Sequence, residues 1–295
     1  MGDTSEHFSL KIMPKIDSFT GKIITQAGRT AAVAALVLSM SLMPACGRRS
    51  DGIVVAGSTS VQPYAEVLSE DYALLYPDEA VDVQGGGSAA GITAAESGAA
   101  DIGMSSRDLT DDEKQLLWSV EIAKDGLAII INPKNPIQDL TLEQVRDIYT
   151  MNITEWSELG GIKAKIHVIT REDGSGTRTS FESLIMGTQR ITPRAIVQDS
   201  NGAVRQLVSE DPNSIGFISL GLVDQTVKAL HLDGIVPSRE NVINGTYGLF
   251  RPFLFVTKGE PAGLAKQFID YTLSPDGQKV LMDEGLIPST EGTKP

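Results

Sequence analysis

The chain has 295 residues, of which 41% are hydrophobic and 5% aromatic, and 25 basic against 38 acidic side chains give a formal net charge of −13. This length and apolar content suit one large or two modest folded domains and argue against overall disorder. An acidic surface repels nucleic acids and anionic lipid headgroups, which excludes both as main partners. Small anions are not excluded, because charge on a distant surface is screened from a closed cleft.

The first 45 residues have the pattern of an export signal. An apolar run from Ala31 to Met43 ends at Pro44. A bilayer-spanning helix needs about 20 apolar residues, so this shorter run matches a signal-peptide core rather than an anchor helix. Acidic residues are unusual ahead of such a core, and we predict that translation starts at Met13 instead.

The lone cysteine, Cys46, directly follows this core and is preceded by the small residue Ala45. The arrangement resembles the lipobox of bacterial lipoproteins, which implies that Cys46 is lipidated and begins the mature chain. The two residues before Ala45 depart from the usual pattern, so a free thiol is the alternative. We expect residues 1–45 to be removed, residues 46–52 to form a tether, and the extracytoplasmic protein to be held to the membrane by its lipid anchor alone.

Beyond the tether, short β-branched runs alternate with segments of helical periodicity, as is typical of α/β domains. We predict strands at 53–56, 81–83, 101–104, 126–131, 166–170, 215–219 and 250–256. We predict helices at 61–76, 89–97, 111–118, 142–149, 176–186, 203–209, 262–273 and 275–283. The two most apolar strands, GLAIII and LFRPFLFV, are candidates to cross between lobes of residues 51–131 plus 250–295 and of residues 132–249.

Three loops share one design, in which glycine and hydroxyl residues follow a strand and open a helix. They are Gly57-Ser58-Thr59-Ser60, Gly85-Gly86-Gly87-Ser88 and Arg171-Glu172-Asp173-Gly174-Ser175-Gly176-Thr177. Helix N-termini expose unpaired N–H groups, and hydroxyls add donors, so the loops suit an oxyanion. The third loop is the most specific because its arginine adds a planar donor fork. Ordinary helix capping is the alternative for each loop.

Five segments of the chain resemble those of a known family. GSTSVQP, QGGGSAAGI, ADIGMSSRDL, TREDGSGTRTSFE and FIDYTLSPDGQKVL are similar to the substrate-binding lipoprotein of the high-affinity phosphate ABC importer, in its compact branch. The resemblance implies an α/β fold of the type II periplasmic-binding-protein class, with two α/β lobes joined by a two-strand hinge. It also implies a monomer that binds inorganic phosphate in the cleft and delivers it to the permease and ATPase subunits of an importer.

The resemblance further implies which residues bind phosphate. The matching ligands are Thr59 and Ser60 in the first loop, Ser88 in the second, and Arg171, Ser175, Gly176 and Thr177 in the third. Asp173 matches the carboxylate that orients the arginine.

One position departs from the family pattern. Ser106 stands where better-known members have the aspartate that accepts the proton of phosphate. The acceptor stays open among Asp101, Asp108 and Asp173. Arg107 is a candidate second cation, with a surface salt bridge as its alternative.

We expect no enzymatic activity, no cofactor and no metal. His7, His167 and His231 are widely separated and lack the spacing of metal ligands. A receptor for sulfate or another oxyanion, or a phosphate sensor, is the nearest alternative. A phosphoryl-transfer enzyme with Ser175 as nucleophile is more distant, because the sequence contains no nucleophile elbow and no base beside this serine.

Overall fold

The computed structural model describes residues 51–289, which belong to a single compact unit. The predictions on the export signal, on Met13 and on Cys46 fall outside this range. The last two residues of the predicted tether, Asp51 and Gly52, already belong to the first strand. Within the described range, every helix is too short or too polar to cross a membrane.

Every predicted strand and helix is present, with boundaries that differ by a few residues, except that the strand predicted at 126–131 begins eight residues earlier, at Trp118. The strands are β1 (Asp51–Gly57), β2 (Glu79–Gly85), β3 (Ile102–Ser105), β4 (Trp118–Ile131), β5 (Asp139–Leu140), β6 (His167–Arg171), β7 (Ile196–Gln198), β8 (Ser214–Ser219), β9 (Lys228–Ala229), β10 (His231–Leu232), β11 (Phe250–Thr257) and β12 (Ile287–Pro288). The α-helices are α1 (Gln62–Leu75), α2 (Ser88–Ser97), α3 (Asp111–Leu116), α4 (Leu142–Thr150), α5 (Gly176–Phe181), α6 (Asn201–Glu210), α7 (Arg239–Ile243), α8 (Gly263–Leu273) and α9 (Pro275–Asp283). A π-helical turn, Glu182–Met186, continues α5, and 3₁₀ turns lie at Trp156–Leu159 and Leu220–Leu222.

The main sheet has the strand order β2-β1-β3-β11-β4-β8-β6-β7. Strand β1 is parallel to β2 and β3, and β6 is parallel to β7 and β8. Between these two groups, β11 and β4 run antiparallel to each other and to their outer neighbours. The carboxyl ends of parallel strands share one edge of a sheet, where loops lead into helices and ligands bind. Each parallel group therefore offers an edge of helix N-termini.

Two hydrophobic clusters share strand β4. Val120 and Ile122 belong to a cluster with β1, α1, β3 and α8, whereas Leu127 and Ile129 belong to a cluster with α4, α5 and β8. Asp125 lies between these two pairs of residues. Strand β4 thus passes from one hydrophobic cluster to the other near Asp125, several residues before the end of the GLAIII run.

Helix α2 packs closely on the ends of β1 and β3 because it contains Gly91. A Cβ atom at this position would lie 2.5 Å from the carbonyl oxygen of Ala56 and 2.9 Å from that of Met104, so only glycine fits without a shift. The close contact brings Ser88, the first residue of α2, next to the carboxyl end of β3.

Candidate functional site

Five buried hydroxyl groups meet at the carboxyl ends of β1, β3 and β6. We call Ser58, Ser60, Ser88, Ser106 and Thr177 the hydroxyl cluster; each is at most 2% exposed. The Ser60 and Thr177 hydroxyl oxygens lie 2.7 Å apart, Ser58 Oγ donates to Ser106 Oγ at 2.9 Å, and Ser88 Oγ lies 3.3 Å from Ser106 Oγ. Residues from all three predicted loops therefore meet in one place.

The first turn of α5 lies against this cluster. A Cβ atom on Gly176 would lie 2.2 Å from Ser88 Oγ and 2.4 Å from Ser106 Oγ. Glycine at this position lets the backbone of the third loop approach the hydroxyls, which suits a ligand held by N–H and O–H donors together.

Arg171 ends β6 beside the cluster and is 1% exposed. Its Nε and Nη2 donate to both carboxylate oxygens of Glu172 at 2.9 and 2.8 Å, and Nη2 also donates to Thr59 Oγ1 at 3.1 Å. The carbonyl oxygens of Gln198 and Asp199 accept at 3.2 and 3.0 Å. The remaining nitrogen, Nη1, is buried and has no hydrogen-bond partner within residues 51–289. Because an unpaired buried donor is costly, this nitrogen is suited to a ligand that presents a hydrogen-bond acceptor.

The structure differs from the sequence-based expectation on which carboxylate orients this arginine. Glu172 forms the contact, whereas the side chain of Asp173 is 93% exposed and pairs with Arg178 Nη1 at 2.6 Å. Gly174, with φ at +87°, turns the chain directly after this pair of acidic residues. The supporting carboxylate is therefore shifted by one residue from the position that the family pattern implied.

Three further candidates lie outside the hydroxyl cluster. Asp101 is exposed, and its carboxylate accepts the N–H of Val54, inside β1, at 2.8 Å. Arg107 donates to both carboxylate oxygens of Glu113 at 2.8 Å and to the carbonyl oxygen of Asp108 at 2.7 Å. The side chain of Asp108 is exposed. The contacts of Arg107 match its alternative, a salt bridge, with Glu113 as the partner.

A cleft of about 160 Å³ opens beside the cluster and has Arg107 in its wall. Ser180 also lines this cleft and donates to the backbone carbonyl of Ser106 at 3.2 Å, which joins the cleft wall to the cluster. Ser175 is buried as the N-cap of α5, where its Oγ accepts the N–H of Arg178 at 3.3 Å.

Sequence reasoning missed an ion pair on the two central strands. Asp125 in β4 and Arg251 in β11 face each other in register, are 1% and 2% exposed, and are joined by hydrogen bonds of 3.0 and 3.1 Å. Ser219 Oγ donates to the second carboxylate oxygen at 2.7 Å, and Arg251 Nη2 donates to Ser60 Oγ at 3.1 Å. Burial raises the pKa of Asp125 and lowers the pKa of Arg251, and their mutual attraction opposes both shifts. The available sequence signal was Asp125, directly before the GLAIII run, together with Arg251, inside the LFRPFLFV run.

Sequence reasoning also missed Asn201, the first residue of α6. It is 1% exposed, its Nδ2 donates to Ser60 Oγ at 2.8 Å, and its Oδ1 accepts the N–H of Ser219 at 3.2 Å. Nothing local in the sequence distinguishes it from an ordinary residue at a helix start. Groups of three or more His, Cys, Asp or Glu side chains that could hold a metal ion are absent from residues 51–289.

Comparisons with known proteins converge on one family. Residues 30–276 match the model of the PBP superfamily domain. The phosphate-binding protein PstS of Bacillus subtilis is 34% identical over 251 residues, which cover 83% of each chain. A Clostridium perfringens structure, described as a phosphate ABC transporter substrate-binding protein with bound phosphate, shares 43% identity and a TM-score of 0.79 over 81% of this chain and 100% of its own. An ABC-type phosphate transport receptor from Vibrio cholerae shares 42% identity and a TM-score of 0.68 over 80% and 100%.

Proposed function

The chain belongs to the PstS family of phosphate-binding proteins within the PBP superfamily, and we propose on this basis that it binds inorganic phosphate between two lobes and delivers it to an ABC importer. The family resemblance and the type II periplasmic-binding-protein fold predicted from the sequence are confirmed. We place the lobe boundary at the Asp125–Arg251 pair, where β4 passes from one hydrophobic cluster to the other.

One observation carries the proposal for the site. Arg171 is a buried cation with Nη1 unpartnered among residues 51–289, and it lies next to Thr59 and the hydroxyl cluster. A ligand there meets N–H and O–H donors from both lobes, and it must accept hydrogen bonds on several sides. A tetrahedral oxyanion has this property, and an apolar ligand does not. We therefore propose Thr59, Ser60, Ser88, Ser106, Arg171, Ser175, Gly176 and Thr177 as its contacts.

The charge balance explains how such a site holds an anion in an acidic protein. Arg171 is paired with Glu172, and Arg251 is paired with Asp125, so two cations face two carboxylates. The dianion is then held mainly by hydrogen bonds, each worth about 1.5–3 kcal/mol when one partner is charged. About seven such bonds, less the cost of association and lobe closure, correspond to micromolar or tighter dissociation constants.

Selectivity toward phosphate follows from the same groups. Within residues 51–289 no carboxylate is hydrogen-bonded to the hydroxyl cluster, so a hydroxyl oxygen is the proposed acceptor of the phosphate proton. A hydroxyl can also donate, and it can therefore turn toward a sulfate oxygen, whereas a carboxylate cannot. We expect weaker discrimination against sulfate than a buried carboxylate at position 106 would provide.

The enzyme alternative has no support in the environment of Ser175. Its Oγ accepts a backbone N–H from Arg178, and no carboxylate or imidazole in the described part of the chain is hydrogen-bonded to it. The relatives named above are transport receptors and binding proteins. The chain is accordingly proposed to bind and release its ligand unchanged.

The finer features of the proposal concern the cell envelope. We propose that the protein is extracytoplasmic, monomeric and anchored through a lipid on Cys46 after removal of residues 1–45. Mass spectrometry of the protein from membranes checks this: a lipidated N-terminal peptide starting at Cys46 is expected, and an intact peptide from residues 31–45 would contradict it.

Isothermal titration calorimetry of the purified full chain, freed of bound phosphate, tests the ligand. Phosphate is expected to bind at one site with a dissociation constant of about 1 µM or below, with arsenate close to it and sulfate weaker. Millimolar phosphate binding beside tight sulfate binding would overturn the assignment. A chromogenic phosphate ester is expected to remain intact in the same preparation, and its hydrolysis would restore the enzyme alternative.

A further inference from the structure

The hydroxyl of Ser60 has three polar neighbours in the closed cluster. Arg251 Nη2 lies at 3.1 Å, Asn201 Nδ2 at 2.8 Å and Thr177 Oγ1 at 2.7 Å from Ser60 Oγ. A serine hydroxyl has one proton to give and two lone pairs with which to accept. Its direction is therefore determined once the roles of the neighbours are known.

Arg251 is restricted to donating. A guanidinium has no acceptor, and the in-register contact with Asp125 holds this one in place through Nε and Nη2. The contact to Ser60 therefore occupies one lone pair of the serine oxygen. Because Asp125 balances the charge of Arg251, the arginine contributes the direction of a hydrogen bond rather than net positive charge.

Asn201 is also restricted to donating toward Ser60. Its Oδ1 accepts the backbone N–H of Ser219 at 3.2 Å, and a backbone N–H can only donate. The amide oxygen must therefore face Ser219, and the amide nitrogen faces Ser60. The second lone pair of the serine oxygen is thereby occupied.

From this geometry we infer that Arg251 and Asn201 are positioning residues that force the Ser60 hydroxyl to act as a donor, either to the anion itself or to Thr177, whose own proton then reaches the anion. With both lone pairs occupied, the Ser60 proton points to Thr177 or to the ligand. If Thr177 accepts this proton, its own proton is free for the ligand. The inference rests on the proposed function, since it assigns residues to the binding of the same anion. The Ser60 corner of the site thus selects an oxygen that carries no proton.

A double-mutant cycle with Ser60→Ala tests the inference, with phosphate affinity of the full chain measured by calorimetry. Asn201→Leu removes the donor and also the contact to Ser219. If Asn201 acts through Ser60, the substitution weakens phosphate binding about tenfold in the wild-type background and less than about twofold when Ser60 is already alanine. A purely structural role would cost the same factor in both backgrounds, because the Ser219 contact is lost in both.

Arg251→Lys is the parallel variant, which keeps a cation opposite Asp125 but reaches fewer acceptors. It enters the same cycle and is expected to show the same loss of effect in the Ser60→Ala background, so the test stands even if Asn201→Leu does not fold. Circular dichroism and thermal melts establish which variants are folded. An equal loss in both backgrounds, or unchanged affinity of Ser60→Ala, overturns the inference while wild-type binding upholds the proposed function. Failure of the wild type to bind phosphate overturns the proposed function itself.

Discussion

An arginine lies near buried hydroxyls both at the end of β6 and just after β3, yet the two arginines differ in their hydrogen bonding. Arg171 is 1% exposed and retains a buried Nη1 without a partner among residues 51–289, whereas Arg107 is 14% exposed and is bound to both oxygens of Glu113. Each guanidinium donates to both carboxylate oxygens of a glutamate, Glu172 or Glu113, so the two arginines differ in the buried Nη1 of Arg171. A buried nitrogen without a partner among residues 51–289 is thus shared by Arg171 and Arg251, and Arg107 lacks one.

Matched substitutions of the two arginines test this contrast most strongly. Arg171→Met is expected to raise the dissociation constant for phosphate at least tenfold, since a hydrogen bond to a charged group is worth about 1.5–3 kcal/mol. Arg107→Met is expected to change the dissociation constant less than about threefold. Arg107 is already paired with Glu113, and such an ion pair contributes about 1 kcal/mol or less. Calorimetry measures both.

The two variants must be compared below their unfolding transitions. Arg171 also donates to the carbonyl oxygens of Gln198 and Asp199, so its removal is expected to lower the melting temperature as well. Equal losses of affinity for Arg107→Met and Arg171→Met would contradict the proposed difference between the two arginines in phosphate binding.

A smaller effect is expected from substituting Gly176, where the backbone of the third loop lies against the hydroxyl cluster. In Gly176→Ala the new methyl group would lie 2.2 Å from Ser88 Oγ, so hydroxyls of the cluster must turn away from the ligand. We expect phosphate affinity to fall about five- to tenfold, as for the loss of one hydrogen bond to a charged group.

Gly202→Ala is the matched control for this substitution. Gly202 lies in α6, and the nearest atom to an added Cβ is 4.0 Å away. Calorimetry should find its affinity unchanged and thermal melts a stability equal to or above that of the wild type. Unchanged affinity of Gly176→Ala would show that the close approach is not needed for binding.

The Arg107 loop is expected to respond to pH through stability instead of affinity. Hydrogen bonding to Arg107 lowers the pKa of Glu113 from 4.5 to about 2. A lowered pKa in the folded state stabilises the protein above the unfolded pKa, and this contribution is lost as pH falls from about 4.5 toward 2. Glu113→Gln is therefore expected to cost about 1 kcal/mol at pH 7, allowing for solvent screening of a partly exposed pair.

Urea denaturation at pH 7 and near pH 3 measures this effect. The stability difference between wild type and Glu113→Gln should shrink at the lower pH, whereas Glu70→Gln, an exposed change in α1, should show little difference at either pH. A difference that persists at low pH would mean that the Arg107–Glu113 ion pair is not its cause.

Local features of the fold and site were predictable because their signals are local. Strand and helix periodicity placed the main elements, and the hydroxyl-rich turns before α1, α2 and α5 marked the loops that meet at the hydroxyl cluster. The early part of β4 was missed because its polar and apolar residues alternate and it is only partly buried. The two-residue strands were missed because such short segments have no periodicity to detect.

The parts of the candidate site that the sequence did not predict depend on contacts between distant residues. Arg251 and Asn201 reach Ser60 across 191 and 141 positions of the chain, and no local pattern reports such a contact. The sequence predicted Asp173 instead of Glu172 as the carboxylate that contacts Arg171 for a similar reason. Both are acidic neighbours of Arg171, and only the path of the turn at Gly174 decides which one faces the guanidinium.

The sequence by itself determined the main elements, the three donor loops and the family, because propensity, capping, glycine freedom and short motifs are properties of a few neighbouring residues. The tertiary structure alone decided which donors meet and which are already satisfied. It paired Arg107 with Glu113, left Arg171 Nη1 unpartnered among residues 51–289, and set Asp125 against Arg251 on the two central strands of the sheet. Hydrogen-bond saturation is a property of all the groups around an atom, and the fold brings those groups from remote parts of the chain.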